Sequence, residues 1–199
     1  WILPQTGFNF SAKDELGVDY ALEHRLFQKI SKNTFRDIEI IAGGNDNFPS
    51  TSGTHLRDVF AHTMALKADL DLDVSVFRAC VVYLNGLYWG VYQIKQPVSS
   101  IDYLLNTAPL SISDINYVQA TNGQSIPAFG GSSTLDRWTD LIDYVNNNDM
   151  GDPASFRQVD SLFNWKSLVD YFVFNSYMVS KDWLINNTNW WTAQNQEGT

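Results

Sequence analysis

Residues 77–84 and 88–94 are two runs of β-branched and aromatic residues, and Asn85-Gly86 falls between them. A tight hairpin turn needs positive φ at both central positions, which Asn and Gly tolerate and most residues resist. The chain is therefore committed to an antiparallel hairpin near its middle. Pro97 ends the second run, because proline cannot donate to a strand ladder. Residues 37–42 predict another strand through Ile38, Ile40 and Ile41, and residues 115–120 predict one more.

Helical spacing appears between these strands. Thr54 suits a helix N-cap, and Leu56, Val59, Phe60, Thr63 and Met64 follow it on one stripe. Residues 100–106 predict a short helix. Leu135, Trp138, Leu141, Ile142 and Val145 mark another. Pro153 fits the first turn of the next. Asn164 caps a longer helix over residues 165–179 that is apolar nearly all round, which predicts burial. Residues 121–132, rich in Gly, Ser and Asn and containing Pro127, read as a loop or lid. The pattern is α+β.

At 199 residues one domain is the expectation, and twelve Phe with seven Trp exclude a disordered linker. The net charge of -9, without a Lys/Arg run, argues against nucleic acid or an anionic membrane as partner. The same charge repels ATP, so a nucleotide site here would need local basic groups or metal ions. No apolar run approaches the roughly 20 residues of a membrane span. The chain opens on Trp1 rather than Met, so the true N-terminus is expected upstream. The lone Cys80 lies in an apolar run and predicts a buried, inert thiol. His55 and His62 would share a face of one helix, without a third ligand for a metal.

Three segments carry candidate chemistry. After the 165–179 helix comes Ser180-Lys181-Asp182-Trp183-Leu184-Ile185-Asn186-Asn187-Thr188. Protein kinases place a catalytic Asp on a rigid loop, and an Asn five residues on holds a metal that bridges the phosphates. Asp182 and Asn187 have that spacing, and an amide oxygen is a hard neutral ligand suited to Mg²⁺. The same residues also make an ordinary helix stop, and Asn186-Asn187-Thr188 matches a glycosylation sequon. The second segment is Gly43-Gly44-Asn45-Asp46 followed by Arg57-Asp58. A glycine turn before a helix can offer amides to phosphate, or it can be a strand-to-helix turn with a surface ion pair. The third, residues 85–92, reads on its own as an aromatic hairpin packed into a core.

Taken in order, Gly43–Asp46, Arg57-Asp58, Asn85–Tyr92 and Asp182–Asn187 resemble the CotH family of spore-coat, kinase-like proteins. The resemblance spans nearly the whole chain. It implies an atypical protein-kinase-like fold and phosphate transfer from ATP, with Mg²⁺ or Mn²⁺, to Ser/Thr of a protein substrate. Asp182 would be the catalytic acid, Asn186 and Asn187 metal ligands, and Asn45, Arg57 and Gln96 cofactor-binding residues. An extracellular or surface location in a bacterium is implied in the same way.

The chain departs from the family pattern in four places. Ile41 stands where Arg is common, Gln96 where Glu is usual, and Thr6 where a basic residue is frequent. The family's second metal acid, about 20 residues after the first, has no counterpart before Thr199. The expectation is a single domain over residues 1–199 that is partial at both ends and inactive or weakly active. The alternative is a pseudokinase-like binding or structural module of a secreted protein.

Overall fold

The computed structural model describes residues 5–12, 21–47, 53–107, 110–130, 133–181 and 183–193. The chain divides into two compact units, Trp1–Asn106 and Thr107–Thr199. Both combine helices with antiparallel sheet, so the chain is α+β.

The first unit contains β1 (Phe8–Ser11), β2 (Leu22–Glu23), β3 (Thr34–Phe35), β4 (Asp37–Ile41), α1 (Arg57–Lys67), β5 (Phe77–Leu84), β6 (Leu87–Lys95) and α2 (Ile101–Thr107). Four strands form one antiparallel sheet in the order β1-β4-β6-β5, and β2 pairs with β3. The β5–β6 hairpin turns on Asn85 (φ 50°) and Gly86 (φ 80°), as the sequence predicts. Register shifts between Val82 and Tyr83, a bulge near the hairpin tip. The core gathers Phe27, Phe35, Ile38 and Val76, with Leu22, Leu26, Ile30 and Ile94 packed against it. Phe27 and Phe35 meet edge to face at 5.4 Å, a favoured aromatic geometry.

The second unit contains β7 (Ile115–Thr121), β8 (Gln124–Phe129), α3 (Thr134–Asn147), α4 (Pro153–Asp160), α5 (Trp165–Tyr177) and β9 (Asn189–Ala193). Its sheet has the order β8-β7-β9. The central strand β7 is the buried one, through Ile115, Tyr117, Val118 and Ala120. Pro153 stands in the first turn of α4, as predicted, the predicted cap Asn164 forms, and Asp152 is a further cap. The Asp152 carboxylate accepts from Ser155 N at 3.1 Å, and Asn164 Oδ1 accepts from Ser167 N at 3.2 Å.

Several expectations need correcting. Residues 121–132 are not mainly a loop: Asn122 (φ 50°) and Gly123 (φ 74°) make a second hairpin turn leading into β8. Pro127 is tolerated because β8 is an edge strand. Helix α5 is not buried, since Leu168, Val169, Phe172, Val173 and Tyr177 are all exposed. A helix apolar all round needs neighbours on every side, and none of the residues of α5 is buried. In the β5–β6 hairpin Tyr92 is the large apolar side chain that is buried, beside Gly90 and Gln93; Val81, Tyr83, Leu87, Tyr88 and Trp89 face solvent.

The isolated titratable groups are structural. His55 precedes α1 and takes φ 61°, so it shares no helix face with His62. His62 Nδ1 accepts from Ser75 N at 3.1 Å, and burial together with nearby Lys95 lowers its pKa, which keeps the ring neutral. Cys80 is only half-buried, yet burial pushes its thiol pKa up and leaves it unreactive. Among the described residues no helix is long and apolar enough to cross a membrane.

Candidate functional site

The Gly43–Asp46 turn leaves β4 through Gly43 at φ 84° and closes as one 3-10 turn, with Asp46 N donating to Gly43 O at 2.8 Å. The turn delivers the Asp46 carboxylate to the start of α1. Oδ1 accepts from Thr54 N at 2.7 Å, and Oδ2 accepts from Leu56 N and Arg57 N, each at 2.9 Å. The Thr54 hydroxyl donates to the same carboxylate, and Arg57 Nε sits 3.2 Å from Oδ1. Thr54 is therefore not the cap. The helix begins at Arg57, and its first orphan amide, together with those of Thr54 and Leu56 just before it, is satisfied by a carboxylate from across the intervening loop. Burial alone would raise the Asp46 pKa. The amides of Thr54, Arg57 and Leu56 outweigh it and hold the carboxyl below its ordinary range. The Arg57 amide, the first donor that a phosphate would use at this helix start, is already engaged.

Of the cofactor-binding candidates, Arg57 lies in this cluster with its side chain 59% exposed. The backbone of Asn45 forms the middle of the 3-10 turn. Gln96 lies elsewhere in the unit, buried, with Nε2 3.4 Å from Asp102 Oδ2. That carboxylate also accepts from Lys32 Nζ at 2.8 Å and from Arg36 N at 3.2 Å. Lys32 and Asp102 form a shielded ion pair that sequence reasoning missed, because its partners lie 70 positions apart and neither belongs to a motif.

The second unit holds the other candidates. Asp182 lies outside the described residues. The segment after it is anchored on three sides. Trp183 packs against the rings of Tyr171 (5.8 Å) and Phe172 (5.2 Å) on α5. Thr188 Oγ1 lies 2.7 Å from the Tyr171 hydroxyl and accepts from Leu184 N at 3.1 Å. The β7–β8 turn grips the middle: Asn122 N donates to Asn186 Oδ1 and Gly123 N donates to Ile185 O, both at 2.8 Å. Asn186 thus has one oxygen lone pair committed to the hairpin, and it is half-buried, which disfavours the sequon reading. Asn187 is exposed and left-handed (φ 58°).

Backbone strain concentrates around this segment. Helix α5 ends in a Schellman motif, with Ser180 N donating to Asn175 O at 3.0 Å and Val179 N to Ser176 O at 3.2 Å. The left-handed position that glycine usually fills is held by Val179 at φ 51°, with a side chain 77% exposed. Leu184 follows at φ 74°. Neither side chain has a local polar group to offset the strain, and such outliers collect at functional sites. Val179→Gly is expected to stabilise the unit by about 0.5–1 kcal/mol, the relief of left-handed strain less the added chain entropy of glycine. Urea unfolding of the two proteins checks it; an equal or lower midpoint would mean that Val179 is not strained.

Among the described residues no group of three His, Cys, Asp or Glu converges to hold a metal. Amide oxygens such as those of Asn186 and Asn187 suit a hard divalent cation, and that of Asn186 also accepts from Asn122 N. The site candidates thus fall on both units, Asn45, Arg57 and Gln96 on the first and Asp182, Asn186 and Asn187 on the second.

Compared with known proteins, residues 23–199 match the family model described as CotH kinase protein. No curated protein matches the chain, and no solved structure does.

Proposed function

The chain belongs to the CotH family, and on that premise we propose that it is a kinase-like phosphotransferase domain that binds ATP with Mg²⁺ or Mn²⁺ and acts on Ser/Thr of a protein substrate. The observation that carries this reading is the anchored segment after α5. Its Trp183, Ile185, Asn186 and Thr188 are each tied to α5 or to the β7–β8 turn, which is the rigidity that a catalytic loop requires. Asp182 is the acid that accepts the hydroxyl proton, and Asn187 is the metal ligand. The metal, when bound, supplies charge neutralisation at the transferring phosphoryl group. Arg57, braced through Nε by Asp46, is the basic group offered to the nucleotide, and Asn45 is the neighbour of Asp46 in sequence. The kinase-like fold and an extracellular or cell-surface setting belong to the same proposal.

The exposed aromatic hairpin favours a second reading, a pseudokinase-like binding module. Val81 pairs with Val91 and Tyr83 with Tyr88, all four exposed, and apolar surface of this kind commonly marks an interaction site.

A thermal-shift titration with ATP and Mg²⁺ or Mn²⁺, on the chain and on Asp182→Ala, separates the two. Ligand at about 100 times its dissociation constant adds roughly 2.7 kcal/mol, a rise on the order of 5–10 °C at this size. A metal-dependent rise that weakens in the variant supports phosphotransfer. No rise in either protein supports the binding module.

A further inference from the structure

One side chain holds both ends of the segment that follows Asp182. The Tyr171 ring packs edge-on against Trp183 at 5.8 Å, and its hydroxyl lies 2.7 Å from Thr188 Oγ1. The proton count at Thr188 closes. Its oxygen accepts from Leu184 N at 3.1 Å and from the Tyr171 hydroxyl, and its own proton points toward Asn186 O at 3.4 Å. This hydroxyl pins the amide of Leu184, the residue held at φ 74°. A strained backbone persists only where its surroundings over-determine it, and here the surroundings are the Tyr171–Thr188 pair.

We propose that Tyr171 and Thr188 are positioning residues, a hydroxyl clamp that fixes the Trp183–Thr188 segment on α5 and so sets where Asn187 stands. The inference rests on the phosphotransfer reading for what is positioned, and on this geometry for the clamp. Neither residue touches nucleotide; both act through the segment they hold.

Tyr171→Phe and Thr188→Val test it, because each keeps the side chain's shape and removes the hydroxyl. At saturating ATP, the Mg²⁺ concentration giving half the thermal shift should rise about tenfold in either variant, the usual loss when an outer partner of a metal ligand is removed. The double variant should lose no more than Thr188→Val alone, since the one bond that Tyr171→Phe removes is already absent there. A merely structural role would lower the melting temperature of the ligand-free protein and leave the Mg²⁺ dependence unchanged, and that result overturns the proposal. Hydrogen exchange at the Leu184 amide gives a readout that needs no ligand. If the wild-type chain shows no metal-dependent shift, the phosphotransfer reading falls and exchange decides the clamp: faster exchange in both variants upholds it, and unchanged protection overturns it.

Discussion

Asp46→Ala is expected to destabilise the first unit by about 3 kcal/mol, the loss of a helix cap together with charge-assisted bonds to three amides. Little of that comes from the Arg57 ion pair, whose side chain is mostly exposed and screened. The larger part comes from Thr54 N, Leu56 N and Arg57 N, which alanine leaves without an acceptor. Asp46→Asn should rescue almost nothing. Both carboxylate oxygens accept, so either orientation of an asparagine amide turns an NH₂ group toward existing donors. A loss of about 1–2 M in urea midpoint for both variants is the expected measurement. An Asn variant close to wild type would show that one oxygen suffices and that the charge contributes little.

The same carboxylate gives a pH dependence with a definite sign. Its folded pKa is lowered, so its contribution is fully present above the unfolded value near 4 and fades as pH falls through the lower folded value. The stability gap between wild type and Asp46→Asn should therefore be constant near neutrality and narrow only below about pH 4. Unfolding midpoints taken at pH 7, 4 and 3 would show it. A gap that closes already at pH 6 would assign the effect to another group.

What the sequence made legible was local. The Asn85-Gly86 turn, β4, the helix start at Pro153 and the Asn164 cap each depend on neighbours within a few positions, and each formed. The Asn122-Gly123 turn carries the same chemistry, but β8 has few apolar residues and a proline, so its strand character comes from pairing along the sheet edge. The cap of α1 was illegible because the acceptor lies eight to eleven residues before its donors, across a loop. The exposure of α5 was misjudged because apolar composition records what a helix can bury, whereas exposure depends on which neighbours arrive. The candidate site divides in the same way. The Asp182–Asn187 spacing was visible as a motif, while Tyr171, which holds the segment, looked like one more aromatic on an apolar helix.

The two glycines of the Gly43-Gly44 pair should respond very differently to alanine, although their residue type and neighbourhood in sequence are nearly the same. Both take positive φ, 84° and 53°, so each substitution carries left-handed strain of about 1–2 kcal/mol. A Cβ on Gly44 would meet nothing within 4 Å, whereas one on Gly43 would lie 2.4 Å from His55 Cδ2. His55 has little room to yield. It is buried, its backbone is left-handed, and its N–H is fixed to Asp46 O at 2.8 Å. Overpacking of that kind adds about 1–3 kcal/mol, so Gly43→Ala should cost about 3–4 kcal/mol in all, against about 1 kcal/mol for Gly44→Ala. Because His55 is held by Asp46 O, the strain from Gly43→Ala should also loosen the α1 cap. The two effects should then be non-additive: Gly43→Ala combined with Asp46→Ala should lose less than the sum of the single changes. Urea unfolding of wild type, Gly43→Ala, Asp46→Ala and the double variant completes the cycle, with Gly44→Ala as a fifth protein for comparison. Equal costs at Gly43 and Gly44 would remove His55 from the account, and strict additivity would mean that the turn and the cap are independent devices.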